Sequence, residues 1–159
     1  MRLARPIAHA VLLMSTLVAF QTAYADASVA ARLDARGVNY TVDEDGDYRV
    51  LYNYADEDRT QLVYVSGRTE EIGGYRVREV FAPAAFVDRD GIGGDRALAL
   101  LKESRTQKIG AWEIGGDVLY YVIKLPDSVD AAQLEAAMDI VAEIADNKEI
   151  EFSGDQDAL

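Results

Sequence analysis

From residue 26 onward the apolar positions switch between two periods, and each switch marks an element. Val29, Ala30 and Leu33 form a narrow stripe at helical spacing, which predicts a short helix over residues 29–36, capped by Ser28 and ended by Gly37. The period then drops to two. Val38, Tyr40 and Val42 fall on one side of an expected strand, and Asp43-Glu44-Asp45-Gly46-Asp47 reads as a turn. Tyr48, Val50, Tyr52 and Tyr54 then alternate with Arg49 and Asn53. Two such runs around an Asp-Gly turn predict a β-hairpin. Residues 61–65 read as a third strand, 66–74 as a loop, 75–81 as a fourth strand and 88–94 as a glycine-rich surface loop.

Beyond the loop, Asp95 is expected to cap a helix over residues 96–104, with Ala97, Leu98, Leu100 and Leu101 apolar. Residues 109–114 and 117–125 predict a second hairpin, with Gly115-Gly116 supplying the positive φ angles of a tight turn. Both faces of Val118-Leu119-Tyr120-Tyr121-Val122-Ile123 are apolar, which predicts a central strand covered on both sides. Asp130 and Gln133 form the signature of a capping box that opens the longest helix. Leu134, Ala137, Met138, Val141, Ile144 and Ala145 share its buried face, and Glu135, Asp139, Glu143 and Asp146 are expected in solvent. The expected fold class is α+β, an antiparallel sheet packed against helices in the order α-β-β-β-(β)-α-β-β-α. It forms one domain over residues 26–152, with 153–159 a disordered tail.

The first 25 residues have another character. Arg2 and Arg5 precede a mainly apolar run over residues 7–20, and Ala23-Tyr24-Ala25 places small residues at −3 and −1 of an expected Ala25–Asp26 cleavage bond. This is the pattern of a secretory signal peptide, so the chain is expected to be exported, to the periplasm of a Gram-negative bacterium or beyond the cell. The run is shorter than the roughly 20 apolar residues that cross a bilayer, so no stable membrane anchoring is expected after cleavage.

Removal of that segment sharpens the charge. Its two arginines leave with it, so residues 26–159 carry 14 basic against 28 acidic side chains, a net −14. Such a field repels phosphate backbones, and nucleic acid is not an expected partner. Cysteine is absent, which excludes a lipid-anchored lipoprotein, thiolate chemistry and cysteine zinc sites, and the single histidine, His9, lies in the signal.

Candidate chemistry is weighed against this background. Residues 43–47 invite a calcium reading, but the glycine stands fourth rather than sixth, Tyr48 takes the sixth position and Asn53 the eleventh. Gly91-Ile92-Gly93-Gly94 before a helix lacks the dinucleotide fingerprint. Ser66 and Ser104 have no histidine to activate them. Lys108 and Lys124 act as bases only if deeply buried, and a carboxylate-based hydrolase needs two acids facing one pocket. No catalytic residue, cofactor or metal site is expected. Eight tyrosines follow the signal, with Trp112, and such residues on strands serve either core packing or an interface. Tyr52, Tyr54, Tyr75, Arg76, Arg78 and Trp112 are the candidate partner-binding surface. For Arg76 and Arg78 an intramolecular ion pair competes with that role.

Three segments carry a likeness to a known family: Gly37-Val38-Asn39-Tyr40 with Asp45-Gly46-Asp47-Tyr48-Arg49-Val50; Leu100-Leu101 with residues 108–117, Lys-Ile-Gly-Ala-Trp-Glu-Ile-Gly-Gly-Asp; and Leu125-Pro126 with Leu134 to Ile144 and Ala145-Asp146. Over most of residues 28–152 the chain resembles the YbjN family of bacterial sensory transduction regulators, with Ser104 near the place where relatives often carry asparagine. The resemblance implies a fold like that of type III secretion chaperones, helices against a curved antiparallel sheet. It also implies a non-enzymatic protein-binding or regulatory module, with a protein partner or homodimer, and it brings no active-site residues. The alternative function is an acidic small-ligand or cation-binding domain.

Overall fold

A computed structural model describes residues 25–154 and 157; the expected signal segment lies outside them apart from Ala25. The first helix, α1 (Ala27–Arg36), starts two residues earlier than the stripe suggests. Its N-cap is Asp26, whose carboxylate accepts from the Ser28 N–H at 2.9 Å, so Ser28 is the second helical residue and not the cap. Strands β1 (Thr41–Val42), β2 (Tyr48–Tyr54) and β3 (Arg59–Val65) follow as a meander. The first is only two residues long and exposed, because Val38 and Tyr40 pack against the core without entering the ladder.

Residues 66–74 are not all loop. A short strand β4 (Glu70–Ile72) turns through Gly73-Gly74 into β5 (Tyr75–Phe86), which runs five residues past its expected end. A register shift between Pro83 and Ala85 lets this long strand carry a proline without breaking its pairing. Helix α2 (Asp95–Thr106) has Gly94 at its N-cap and Asp95 in its first turn, so Asp95 does not cap it. In the hairpin of β6 (Ala111–Gly115) and β7 (Val118–Pro126), Gly115 pairs with Val118 inside the ladder. The two-residue turn is therefore Gly116-Asp117, and only Gly116 takes a positive φ, 60°. Helix α3 (Ala131–Ser153) opens on the expected capping box, with Gln133 N–H to Asp130 at 2.8 Å and Asp130 N–H to Gln133 at 3.0 Å. It reaches into the segment expected to be a tail. Farther on, Asp157 accepts from the N–H and Oγ of Thr60.

The fold class is α+β. Seven antiparallel strands form one sheet in the order β1-β2-β3-β5-β7-β6, with β4 added beside the start of β5. The core lies between one face of this sheet and the helices. Val29 and Leu33 of α1 meet Leu134, Ala137, Met138, Val141 and Ala145 of α3 over Val50, Val63, Val65, Val80, Tyr121 and Ile123. Leu100 is the buried residue of α2, against the Trp112 end of β6. Strand β7 is not central: it has one strand, β6, outside it, and its second apolar face is on the side of the sheet away from the helices.

Candidate functional site

Polar side chains that looked available from sequence are largely consumed inside the fold. Arg78, fully buried on β5, donates from Nε to Asp127 at 2.8 Å, from Nη2 to Asp26 at 2.6 Å and from Nη1 to the Ser66 carbonyl. Asp127 also faces Arg32 at 3.3 Å and Arg76 at 3.4 Å. The Ser28 backbone N–H, helped by Arg78, holds the Asp26 carboxyl below the ordinary value. Burial works against the Asp127 charge, but Arg78 and Arg32 outweigh it and lower its pKa as well. The network ties the start of α1 to the sheet and to the β7–α3 connection.

A second buried set joins β3 to α3. Arg59 donates to Asp146 and Glu149, each at 2.9 Å. Asp146 is therefore not in solvent; it is paired beneath the helix. Burial opposes the Arg59 charge, and the two carboxylates reverse that and raise its pKa. Among the described residues this is the close pair of buried acids that a carboxylate hydrolase reading would select, yet both are paired with the Arg59 guanidinium. Neither lines the depressions described below.

The six candidate surface residues divide accordingly. Tyr52 donates to Asp139 of α3 at 2.8 Å and is half-buried on the core side. Tyr54 lies on the same side, its pKa pushed up to about 12 by burial and then by Asp146 and Glu143. Trp112 is 7% exposed, packed edge-on against Tyr121, with its indole N–H on Glu103 at 3.0 Å. Its backbone N–H goes to the Ser104 hydroxyl at 2.9 Å. Arg78 and Trp112 are thus removed from the candidate surface. Tyr75, 73% exposed, and Arg76 remain in solvent at the β4–β5 end of the sheet.

The residues that do form a surface are the other half of the alternation. On β2, β3, β5 and β7 the side chains pointing away from the helices include Arg49 and Leu51; Leu62 and Tyr64; Phe81, Pro83 and Phe86; Val118, Tyr120 and Val122, with the polar Asn53, Thr60, Glu79 and Lys124 toward the strand ends. Registration puts Leu51 opposite Leu62, Arg49 opposite Tyr64, and Tyr64 opposite Phe81. The rings of Tyr64 and Phe81 stack at 5.1 Å and 7°, Tyr120 meets Phe81 edge-on at 5.8 Å, and the Arg49 guanidinium sits 5.8 Å from the Tyr64 ring. None of the helices among the described residues lies over this face.

Two depressions open on it. One, about 620 Å³, is lined by Asn39, Tyr40, Thr41, Arg49, Leu51, Thr60 and Leu62. The other, about 650 Å³, has Leu62, Tyr64, Phe81, Pro83, Phe86, Val118 and Tyr120 as its floor and Asp43, Asp45 and Asp47 as one wall. Leu62 belongs to both. Asp43 Oδ1 accepts from the N–H groups of Asp45 and Asp47, each at 3.0 Å, and Asp47 Oδ1 accepts from Gly67 at 2.9 Å. Burial, reinforced by Asp43 and Asp45, pushes the Asp47 carboxyl up despite the Gly67 hydrogen bond. These carboxylates shape the turn, and among the described residues no group of three or more His, Cys, Asp or Glu is placed to hold a metal ion.

Lys124 is half-exposed and paired with Glu113 at 2.7 Å, and Lys108 is exposed, so neither is the desolvated amine that base catalysis needs. A smaller apolar depression of about 350 Å³, with Leu98, Leu101 and Ile114, lies between α2 and β6 on the helix side.

No family model and no curated protein matches the chain.

Sequence reasoning missed the face for a definable reason. Leu51, Leu62, Phe81 and Tyr120 are scattered over four strands, and each sits beside residues of the buried face. The signal was present in β7, where both faces are apolar; one face is core and the other is this surface.

Proposed function

We propose that the chain is an exported, non-enzymatic protein-binding module, and that the uncovered aromatic face of its sheet is the docking surface. The observation that carries this reading is the continuous apolar floor from Leu51 through Leu62, Tyr64 and Phe81 to Tyr120. A sheet stabilises itself by burying one face, and a second face of this composition gains free energy only when another layer covers it. Aromatic rings with a polar tip, such as Tyr64 and Tyr120, suit a surface that is alternately wet and covered. The buried acids are committed to arginines, which supports a binding role over hydrolysis. The earlier resemblance to the YbjN regulators points the same way.

Site-directed photo-crosslinking in the producing cell tests the reading. A photoreactive residue at Tyr120 or Leu51 is expected to give a discrete crosslinked product, and one at Glu143 on the exposed side of α3 is expected to give none. Equal crosslinking from both faces, or none from the open face, contradicts it.

A further inference from the structure

We propose that the occupant of the open face is a basic amphipathic helix: a partner segment with one apolar stripe, flanked by lysine or arginine. The inference rests on the reading of that face as a docking surface and specifies what docks there.

The floor supplies the first argument. β3 pairs along its length with β2 and with β5 at Tyr64–Phe81 and Val65–Val80, and β5 pairs with β7, so the backbone N–H and C=O groups of the floor lie in the plane of the sheet and do not point up at a segment laid on its face. A single segment laid on an apolar floor has to satisfy its own backbone polar groups. A helix does so internally, and it packs a stripe of side chains into a groove at positions i, i+3 and i+4.

Dimensions agree. The two depressions share Leu62 and together cross β2, β3, β5 and β7. Three strand spacings of about 4.8 Å make roughly 14 Å, the length of ~10 helical residues at 1.5 Å each.

Charge then selects the flank of that helix. Asp43, Asp45 and Asp47 form one wall of the second depression, and the whole chain carries a formal net charge of −12. A cation placed beside the turn relieves repulsion among three carboxylates, whereas an acidic partner, or a second copy of this chain, adds to it. Burial of Asp47 beside Asp43 and Asp45 already disfavours its charge, so the turn gains from a neighbouring cation. Arg49 is the cation lining the first depression. It lies against the Tyr64 ring, which holds its guanidinium to one side of the floor.

Two ~14-residue peptides test this, matched in leucine at i, i+3 and i+4 and carrying either lysine or glutamate elsewhere. Binding to the purified protein is measured by calorimetry at low and high salt. The lysine peptide is expected to bind, more weakly as salt rises, and the glutamate peptide not to bind. Leu62→Ser in the shared floor and Asp45→Lys in the exposed wall are each expected to weaken the lysine peptide about tenfold. Thermal unfolding of each variant is recorded alongside, and Leu51→Ser, at a side chain 60% exposed, replaces Leu62→Ser should the latter unfold. Equal binding of both peptides, or lysine-peptide binding that the substitutions leave unchanged, overturns the inference. If neither peptide binds while photo-crosslinking from Tyr120 still captures a protein, the basic helix is wrong and the docking face stands. Loss of the crosslink as well removes both.

Discussion

At the scale of single residues, the structure turns on charged side chains placed where solvent does not reach. Arg78 is held by Asp26, Asp127 and a carbonyl, so removing it leaves Asp26 with the Ser28 N–H alone and Asp127 with the longer contacts to Arg32 and Arg76, at a partly buried site. Arg78→Met is expected to cost about 3 kcal/mol at neutral pH, measured by chemical denaturation, because breaking a buried pair leaves uncompensated charge. The pH dependence has a definite sign. Asp26 and Asp127 have lowered pKa values, so their contribution is present above the unfolded carboxylate value and is lost as pH falls through the lower folded one. The gap between wild type and Arg78→Met is therefore expected to shrink toward about 1 kcal/mol near pH 3. A gap that stays constant or widens on acidification contradicts this assignment. Sequence identified Arg78 as a candidate for internal pairing but not its partners, which lie 52 and 49 positions away. Asp146 was misread because its charge suggested solvent; it lies one turn beyond buried Ala142 and three residues before buried Glu149, on the side that Arg59 reaches from β3.

Elements were legible in proportion to how local their cause is. The capping box of α3, the hairpin of β6 and β7 and the alternation of β2 are set by neighbours in sequence; the box and the alternation form where the pattern places them, and the hairpin forms with its turn one residue later. β4 and the extension of β5 were not visible, since Glu70–Ile72 is exposed and its pairing depends on a partner strand. Gly67 shows the same limit. It reads as an ordinary loop glycine, yet a Cβ there would lie 1.9 Å from the Gly46 carbonyl oxygen, so it is the contact point between the acidic turn and the β3–β4 connection. Gly67→Ala is expected to destabilise by about 2–3 kcal/mol in thermal or denaturant unfolding, as backbone must move to admit the methyl. It is also expected to displace the Asp47 carboxylate from the Gly67 N–H. A variant as stable as wild type contradicts that close approach.

At the scale of the whole molecule, helices gather on one side of a seven-stranded sheet and leave an apolar, aromatic second side uncovered among the described residues. Composition gave no hint of this asymmetry, because the same tyrosines and leucines fill a core or floor an open face equally well. Only the register across β2, β3, β5 and β7 joins them. Hydroxyl-radical footprinting of the purified protein, and of the protein in its native extract, reads whether a partner covers this face. Tyr64, Phe81 and Tyr120 are expected to be oxidised in the isolated chain and protected in the extract, while Tyr75 is oxidised in both. Protection of the three rings in the isolated chain, or their oxidation to the same extent in the extract, would contradict a docking role for this face.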